Sequence, residues 1–166
     1  GFPVPPQRNK RTGAWNKPRV FNNTRDDGVH TKSLWKASFE ARRGLIPASS
    51  FSESKGRAPA TIFWFGVESP HAPLFVFAGI WRPFKGTYDL GEVEIDVYSM
   101  MTTTADDLVE PVHPSRMPVI LDPKDYETWL SGSADEAFEL LKPFPANRMK
   151  IVDSGVELKS EPATTP

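Results

Sequence analysis

The chain changes from a helical pattern to a β pattern within R-R-G-L-I-P-A-S-S-F-S-E, residues 42–53. Before this stretch, apolar side chains from Leu34 to Ala41 recur every three or four residues, which predicts a helix over residues 31–43. Arginines in its last turn complement the helix dipole, and Gly44 suits the left-handed residue that ends many helices. The helix is therefore expected to stop at Gly44, where the β pattern begins.

The apolar runs after Gly44 are short and are separated by Gly and Pro, a pattern typical of β-strands. The predicted strands are residues 45–48, 61–67, 73–81, 93–97 and 118–121. They predict one antiparallel or mixed sheet that curls towards a barrel. Residues 1–20, which are rich in Pro and basic side chains, are predicted to form an extended loop.

Two further helices are predicted after the last of these strands. Asp122 and Pro123 match the N-cap and the first position of one helix. Ser133 and Glu136 match a capping box at the start of a second helix, which Pro143 would end. A curled sheet flanked by a few helices gives an α+β fold class.

The length and composition favour one domain. The 166 residues are 39% hydrophobic and include 11 Phe and 5 Trp, which is enough for a substantial core. The domain is predicted to occupy residues 1–158. Residues 159–166 contain no apolar side chain larger than Ala and are predicted to be a disordered tail. Because the chain opens with Gly rather than Met, we expect it to be N-terminally incomplete.

Several classes of protein find no support in the sequence. No apolar run approaches the roughly 20 residues of a membrane span, and the first residues lack the layout of a secretory signal, so a cytoplasmic protein is expected. The absence of Cys excludes disulfides and thiolate metal sites. His30, His71 and His113 show no ligand spacing, so we expect neither a metal nor another cofactor. Motifs of nucleophile-elbow hydrolases, P-loop proteins and zinc peptidases are also absent.

Charge is unevenly distributed along the chain. Residues 1–57 contain 12 Lys and Arg against 4 Asp and Glu, a balance of +8, whereas residues 58–166 contain 8 against 17, a balance of −9. A surface that faces phosphates would show such an excess of Lys and Arg. Charges scattered over the surface would explain the same counts, so charge alone leaves both interpretations open.

Three polar side chains could carry chemistry. Asn23 lies in F-N-N-T-R-D-D-G, where Asn, Asp and Gly together usually form a turn. Glu53 lies in what local sequence alone would make a solvated hairpin turn, but burial beside apolar strand residues would raise its pKa towards a range useful for proton transfer. His113, in the Pro-rich stretch 110–118, could exchange protons near neutral pH, although a lone loop His is more often an incidental surface residue.

Two more side chains could contact nucleic acid. The aromatic run Phe63-Trp64-Phe65 is expected mainly in the core of the sheet, but an outward Trp64 could stack on a base. Arg116 could bind a phosphate or anchor a carboxylate of the protein itself.

Several stretches resemble the SOS-response-associated peptidase (SRAP) family, which senses abasic sites in single-stranded DNA. They are G-F-P-V-P-P, R-R-G-L-I-P-A-S-S-F-S-E, F-A-G-I-W, Y-S-M-M-T-T-T-A, V-H-P-S-R-M-P-V-I-L and D-Y-E-T-W-L. The most specific of them is H-P-S-R-M-P, in which Ser115 is a tolerated spacer. The resemblance thus extends from the first residues to the stretch around Trp129.

The resemblance implies roles for individual residues. Asn23 would hold the reacting chain terminus and hydrogen-bond the DNA sugar, or Asn22 would do so if the match is shifted by one residue. Arg25 would contact a phosphate. Glu53 would act as general acid and base, and His113 would assist at the sugar oxygen. For DNA binding we add Arg116 and Trp64 to Arg25.

This chain departs from the family's pattern at three points. The family commonly has a Trp after the catalytic Glu, where this chain has Ser54, and often a buried Cys where it has Gly44. The family's nucleophile is a Cys exposed at the mature N-terminus, and this chain contains no Cys. We therefore expect the natural gene to begin Met-Cys, with Gly1 well inside it.

The function implied by the resemblance is recognition of abasic sites in single-stranded DNA. An N-terminal Cys would form a thiazolidine crosslink with the abasic sugar, after autoproteolytic removal of the initiator Met. The alternative is a non-catalytic single-stranded DNA-binding module that lacks the nucleophile. A third possibility, an acid/base hydrolase that uses Glu53 with Asp26 or Asp27, depends only on proximity in sequence. The expected partner is single-stranded DNA containing abasic sites, at the nucleoid, without a membrane.

Overall fold

The computed structural model describes residues 1–4, 6–68, 74–88 and 91–160, with the backbone alone at residue 88. His71, the start of the strand predicted at 73–81 and most of the predicted tail lie outside the described residues. The strands are β1 Phe2–Val4, β2 Arg19–Phe21, β3 Asn23–Arg25, β4 Arg43–Ala48, β5 Phe51–Lys55, β6 Thr61–Val67, β7 Phe75–Tyr88, β8 Gly91–Thr103, β9 Met117–Pro118, β10 Ile120–Leu121 and β11 Met149–Val156. The α-helices are α1 Ser33–Ala41, α2 Tyr126–Ser131 and α3 Ala134–Phe138.

The central sheet is mixed and contains six of these strands. Strands β10, β7, β8 and β3 lie in this order, β4 also pairs with β7, and β9 also pairs with β8. Strand β3 runs parallel to β8, and the other pairs are antiparallel. The predicted α+β class with a curled, mixed sheet is confirmed.

The sheet curls where β7 and β8 stop pairing, at Gly79 and Met100. Beyond this point the segment that carries β9 and β10 lies between the two strands. Val119 links them, because the Ala78 amide donates to its carbonyl at 2.9 Å and its own amide donates to the Met101 carbonyl at 2.9 Å. The backbone groups of the separated strands are thereby paired despite the curvature.

Two smaller sheets complete the fold. Strands β5, β6 and β11 form an antiparallel sheet, and β1 pairs with β2. Strand β6 has the bounds that the sequence predicts. Strand β11 is not among the predicted strands.

The central sheet is covered differently on its two sides. One side, which we call the closed face, packs against α1 and α2 in a first hydrophobic cluster that includes Trp35, Phe39, Ala78, Ile80, Val97, Met101 and Trp129. The alternate side chains point to the opposite side, which we call the open face. Part of the open face packs against the three-stranded sheet in a second cluster that includes Phe51, Phe65, Phe75, Phe77, Met117 and Met149.

The predicted end of the first helix is wrong. Helix α1 ends at Ala41, and Gly44 lies inside β4, paired with Gly79, rather than in a left-handed conformation. The C-terminus of α1 is stabilised instead by Arg43, whose guanidinium donates to the carbonyl of Phe39 at 2.7 Å and to that of Glu40 at 3.2 Å. Arg43, in the strand that follows, thus binds the last carbonyls of the helix, a role that the sequence analysis gave to Gly44.

The N-terminal segment is more ordered than predicted. It is not a loop at its ends, because β1 and β2 pair from Phe2 and Phe21 to Val4 and Arg19. Phe2 is fully buried and lies 5.1 Å from Trp35 between ring centroids. Burial of this one aromatic ring attaches the segment to the first cluster.

The two C-terminal helices are partly as predicted. The capping box of Ser133 and Glu136 is present at the start of α3. Asp122 does not cap a helix through its side chain, because its carboxylate accepts two hydrogen bonds from Arg148, at 2.8 and 2.6 Å. Helix α3 ends at Phe138, earlier than the predicted stop at Pro143, and the chain continues in tight turns.

Candidate functional site

Strand β3 presents two of the predicted site residues on the open face. Asn23 is paired with Met100 of β8, and both Asn23 and Arg25 are exposed. Thr24, between them, is fully buried on the closed face. The turn expected for this Asn- and Asp-rich stretch begins only after Arg25, as a 3-10 turn over Asp26–Gly28. The strand geometry therefore directs Asn23 and Arg25 to the same side.

Arg25 forms a two-point ion pair with Asp27. Its Nε donates to Oδ1 at 3.1 Å and its Nη2 donates to Oδ2 at 2.5 Å. The hydrogen bond raises the pKa of Arg25 and lowers the pKa of Asp27. Both side chains are more than half exposed, at 58% and 53%. Because a phosphate presents oxygens like those of a carboxylate, it could replace Asp27 on this guanidinium.

Glu53 lies in β5 and not in a turn. It is paired with Phe63 of β6, and Phe51 precedes it by two residues on the same side of the strand. Both aromatic rings pack with the second cluster, so Glu53 points to the inner side of the three-stranded sheet. Burial raises the pKa of Glu53, and the charge of His113 opposes this effect in part. Glu53 thus combines a raised pKa with a nearby proton-exchanging side chain.

His113 lies just after Val112, which is buried in the second cluster. Its Nδ1 is 2.8 Å from the carbonyl oxygen of Arg116. The backbone N–H of Arg116 also lies 3.3 Å from this nitrogen, so Nδ1 donates to the Arg116 carbonyl in one tautomer and accepts from the Arg116 amide in the other. The backbone of the H-P-S-R motif therefore fixes the orientation of the imidazole.

The structure brings together side chains that are far apart in the sequence. Glu53 and His113, which belong to different elements, interact electrostatically at the edge of the second cluster. Asn23 is on the open face beside Met100, which packs against the same cluster. This arrangement offers a carboxyl group, an imidazole and a carboxamide on one side of the molecule, a set that can transfer protons and hold a polar reactant.

Arg116 is largely engaged within the protein. Its Nη2 donates to Asp26 Oδ1 at 2.7 Å and also to the backbone carbonyl of Thr102. Its side chain is only 16% exposed. The anchoring role that the sequence left open is therefore observed, and its DNA-binding role stays a prediction. Arg116 and Arg25 line one open groove of about 610 Å³ that also includes Asp26, Asp27, Thr104, Ser115 and Phe138.

Comparison with known protein families gives a match along almost the whole chain. A family model described as SOS response associated peptidase (SRAP) matches residues 4–158. This chain belongs to the SRAP family.

The relatives of this SRAP chain include named proteins. It is 30% identical to abasic site processing protein YoaM of Bacillus subtilis (strain 168) over 134 residues, which cover 77% of this chain and 56% of YoaM. It is 29% identical to abasic site processing protein YoqW of the same organism, with coverage of 77% and 57%. The SRAP chain thus spans less than two thirds of the length of these relatives.

Solved structures share the fold. A protein from Bacteroides thetaiotaomicron matches with a TM-score of 0.68 and 28% identity, covering 81% of the SRAP chain and 57% of that protein. A protein from Bordetella bronchiseptica matches with a TM-score of 0.65 and 28% identity, covering 77% and 62%.

In this SRAP chain, Trp64 does not lie on the same side of the three-stranded sheet as Glu53. It alternates with Phe63 and Phe65 along β6 and is paired with Ser52, so it lies on the outer side of the three-stranded sheet, opposite Glu53. Its indole Nε1 donates to the carbonyl of Leu158 at 3.0 Å. A base stacked on Trp64 would therefore not lie beside Glu53. Ser54 is also on this outer side, so a Trp at this position would not face Glu53 either.

The hydrolase hypothesis gains no support from the geometry. Asp26 is ion-paired with Arg116, and Asp27 is ion-paired with Arg25. The charged group that influences the pKa of Glu53 is His113, and neither aspartate contributes. Sequence reasoning missed Asp27 as the partner of Arg25, although two oppositely charged residues separated by one position were a usable signal.

The described part of the chain shows neither a metal-binding cluster nor a helix suited to a membrane. No group of three or more His, Cys, Asp or Glu residues there is placed to hold a metal ion. Within the same residues, none of the helices has the length and apolar character needed to cross a bilayer.

Proposed function

We propose that the protein processes abasic sites in single-stranded DNA, with Glu53 and His113 as its proton-transfer pair. The observation that carries this proposal is the proximity of Glu53 and His113 on the side of the molecule that also presents Asn23 and Arg25. The family membership and the names of the relatives support the same substrate. Single-stranded DNA fits because the sugar of an abasic site is accessible there, whereas in a duplex the nucleotide must first be flipped out of the helix.

The chemistry proposed for the complete protein is a covalent crosslink. The α-amine of an N-terminal Cys attacks the aldehyde of the ring-opened sugar, and water leaves as the imine forms. The thiol then adds to the imine carbon and closes a thiazolidine ring. Glu53 accepts a proton from the attacking amine and protonates the hydroxyl group of the resulting carbinolamine, which leaves as water, while His113 assists at the sugar oxygen. Asn23 holds the reacting terminus, and removal of an initiator Met exposes it.

The first test uses the natural full-length protein and a single-stranded oligonucleotide with one abasic site. Intact-mass measurement should show a chain longer than 166 residues that starts with Cys. After incubation, the product should weigh the sum of protein and oligonucleotide minus one water. A natural chain that starts at Gly1 would rule out this crosslink.

Glu53→Gln keeps the shape of the side chain but cannot transfer a proton. Crosslinking should slow by about 10²- to 10⁴-fold, the usual contribution of general acid and base catalysis. His113→Ala should slow the reaction less, because water can replace a proton donor at an open site. The matched control is Glu40→Gln, since Glu40 is an exposed residue of α1, which covers the closed face, and its carboxylate is ion-paired with Lys36. Crosslinking of Glu53→Gln at the parent rate would remove Glu53 from the mechanism.

The second candidate function is a non-catalytic single-stranded DNA-binding module. The exposed position of Arg25 on the open face favours it, because phosphate binding by this side chain needs no nucleophile. It predicts that abasic and undamaged oligonucleotides bind with similar affinity and that no crosslinked product forms with the natural protein. The mass measurement described above therefore separates the two candidates.

A further inference from the structure

An apolar slot lies on the open face, next to the candidate site. It has a volume of about 390 Å³ and is lined chiefly by Gly44, Ile46, Gly79, Trp81 and Tyr98. This volume is within the range of small-ligand pockets. The candidate site described above uses none of these side chains.

Two glycines form the floor of the slot. Gly44 of β4 and Gly79 of β7 lie directly opposite each other. A β-carbon placed on Gly79 would be 2.7 Å from Cδ1 of Ile46, and one on Gly44 would be 3.6 Å from Cδ1 of Trp81, so the two glycines make room for Ile46 and Trp81.

Two aromatic side chains border the slot. Trp81 and Tyr98 are directly paired across β7 and β8. They are 37% and 58% exposed, whereas their neighbours Ile80 and Val97 are buried on the closed face. Exposed, adjacent aromatic rings are the surfaces on which single-stranded nucleic acids stack their bases.

The position of the slot relates it to Asn23. Asn23, Met100, Gly79 and Gly44 form one row across four strands, because each is paired with the next. Two strand spacings, about 10 Å in all, separate Asn23 from Gly79. A nucleotide that adjoins one held at Asn23 can therefore reach the slot.

The charges around the slot favour one direction from which a DNA strand can approach it. Arg42 stands beside Trp81, with its Nε donating to the Trp81 carbonyl at 3.2 Å. Farther along the same face lie Asp96, exposed, and the ion pair of Lys85 with Glu94 at 3.1 Å. The carboxylates would repel phosphates at that end. A DNA strand is thus favoured to enter from the side of Asn23 and Arg25.

We propose that this slot binds a nucleobase of single-stranded DNA, the base of a nucleotide adjoining the abasic one, by stacking on Trp81 and Tyr98. The proposal rests on the proposed function and adds a subsite to it. The ring of the base enters the slot between Ile46 and the two aromatic side chains, and the phosphates on either side stay in solvent. Such a subsite would favour strands that keep a base beside the lesion.

The test measures the affinity of the parent protein and of its variants for two kinds of oligonucleotide. One oligonucleotide carries a single abasic site between thymidines, and the other also lacks the base of one adjoining nucleotide, on either side in turn. Parent protein should bind the first about 5- to 150-fold more tightly, the usual range for one stacked base. Trp81→Ala and Tyr98→Ala should reduce this preference, and Trp81→Phe should keep most of it. Trp15→Ala is the control, since Trp15 is 71% exposed in the N-terminal segment.

Two outcomes would overturn the subsite. In one, Trp81→Ala and Tyr98→Ala still bind the oligonucleotide that keeps the adjoining base more tightly, by the same factor as the parent. The slot would then not be the place where that base binds. The other comes from undamaged oligothymidylate: its addition should shift the NMR signal of the Trp81 indole N–H, and no shift would exclude base binding. If oligothymidylate shifts this signal but abasic DNA gives no crosslink, the subsite stands and the proposed chemistry fails.

Discussion

The two faces of the central sheet use arginine in opposite ways. On the closed face, Arg43 is buried and donates to the carbonyls of Phe39, Glu40, Trp129 and Gly132. On the open face, Arg25 is exposed and is ion-paired with the exposed Asp27. Both belong to the basic first third of the chain. A count of positive charges therefore does not reveal which of them can meet a phosphate.

Burial is what separates the two roles. Loss of hydration lowers the pKa of Arg43, and its donors are directed to backbone oxygens of α1, α2 and the residue after α2. These contacts join three segments and leave little of the guanidinium for a ligand. Arg25 makes its hydrogen bonds in water, where a phosphate can compete with Asp27. The closed face thus stabilises the fold, and the open face is free to bind.

The largest effect is expected from Arg43→Ala. Removal of the guanidinium leaves several buried carbonyls without donors, and the free energy of unfolding should fall by about 3 kcal/mol. Urea denaturation followed by Trp fluorescence measures this change. Arg43→Lys, which keeps the charge but not the fork of donors, should lose less.

The exposed Arg57→Ala is the control for this experiment and should leave the unfolding midpoint unchanged. If Arg43→Ala were as stable as the parent, Arg43 would not be the residue that ties the helices to the sheet. The closed face would then not depend on a buried arginine for its stability, and this part of the contrast between the two faces would be wrong.

Local patterns predicted the elements that depend on local interactions. The capping box at Ser133 and the bounds of β6 follow from neighbouring residues. The same patterns failed where a distant partner decides the structure. Asp122 and Pro123 occupy the predicted N-cap and first positions of the turn that leads into α2, but the Asp122 carboxylate binds Arg148 instead of capping that turn. Strand β11 forms by pairing with β6.

The candidate site shows the same limit more strongly. Asn23 was assigned to a turn by its neighbours, and its place in β3 depends on β8, which lies far along the chain. The interaction of Glu53 with His113 joins β5 to the loop that precedes β9, and no local period in the sequence encodes it. The family resemblance supplied these residues, and it could not supply partners such as Asp27.

The next effect, on DNA affinity, is expected from Arg25→Ala. Single-stranded DNA binding should weaken, and the slope of log affinity against log salt should become smaller by about 0.7, the value for one phosphate contact. Asp27→Asn is the matched variant, because it removes the competitor of phosphate and should strengthen binding. Titration of a fluorescent oligonucleotide at several salt concentrations measures both. Salt-independent binding of the parent would show that the basic first third is only a solvated surface.

The smallest effect is expected on thermal stability, from the half-buried Glu53 on the inner side of the three-stranded sheet, which packs against the open face. Burial raises its pKa above the ordinary value of 4.5, so the folded state holds the proton more tightly than the unfolded state. The stability contributed by protonated Glu53 is therefore complete below pH 4.5 and is lost as the pH rises through the raised value. Glu53→Gln cannot ionise and escapes this loss.

The variant should consequently unfold at a higher temperature than the parent at pH 7, while the gap closes at pH 4. Calorimetric scans of both proteins across this range measure the difference, with Glu94→Gln as the exposed control. A gap that stayed constant with pH would mean that Glu53 is solvated in the folded protein. The open face would then have no perturbed carboxyl to transfer protons, and its contrast with the closed face would be one of DNA binding alone.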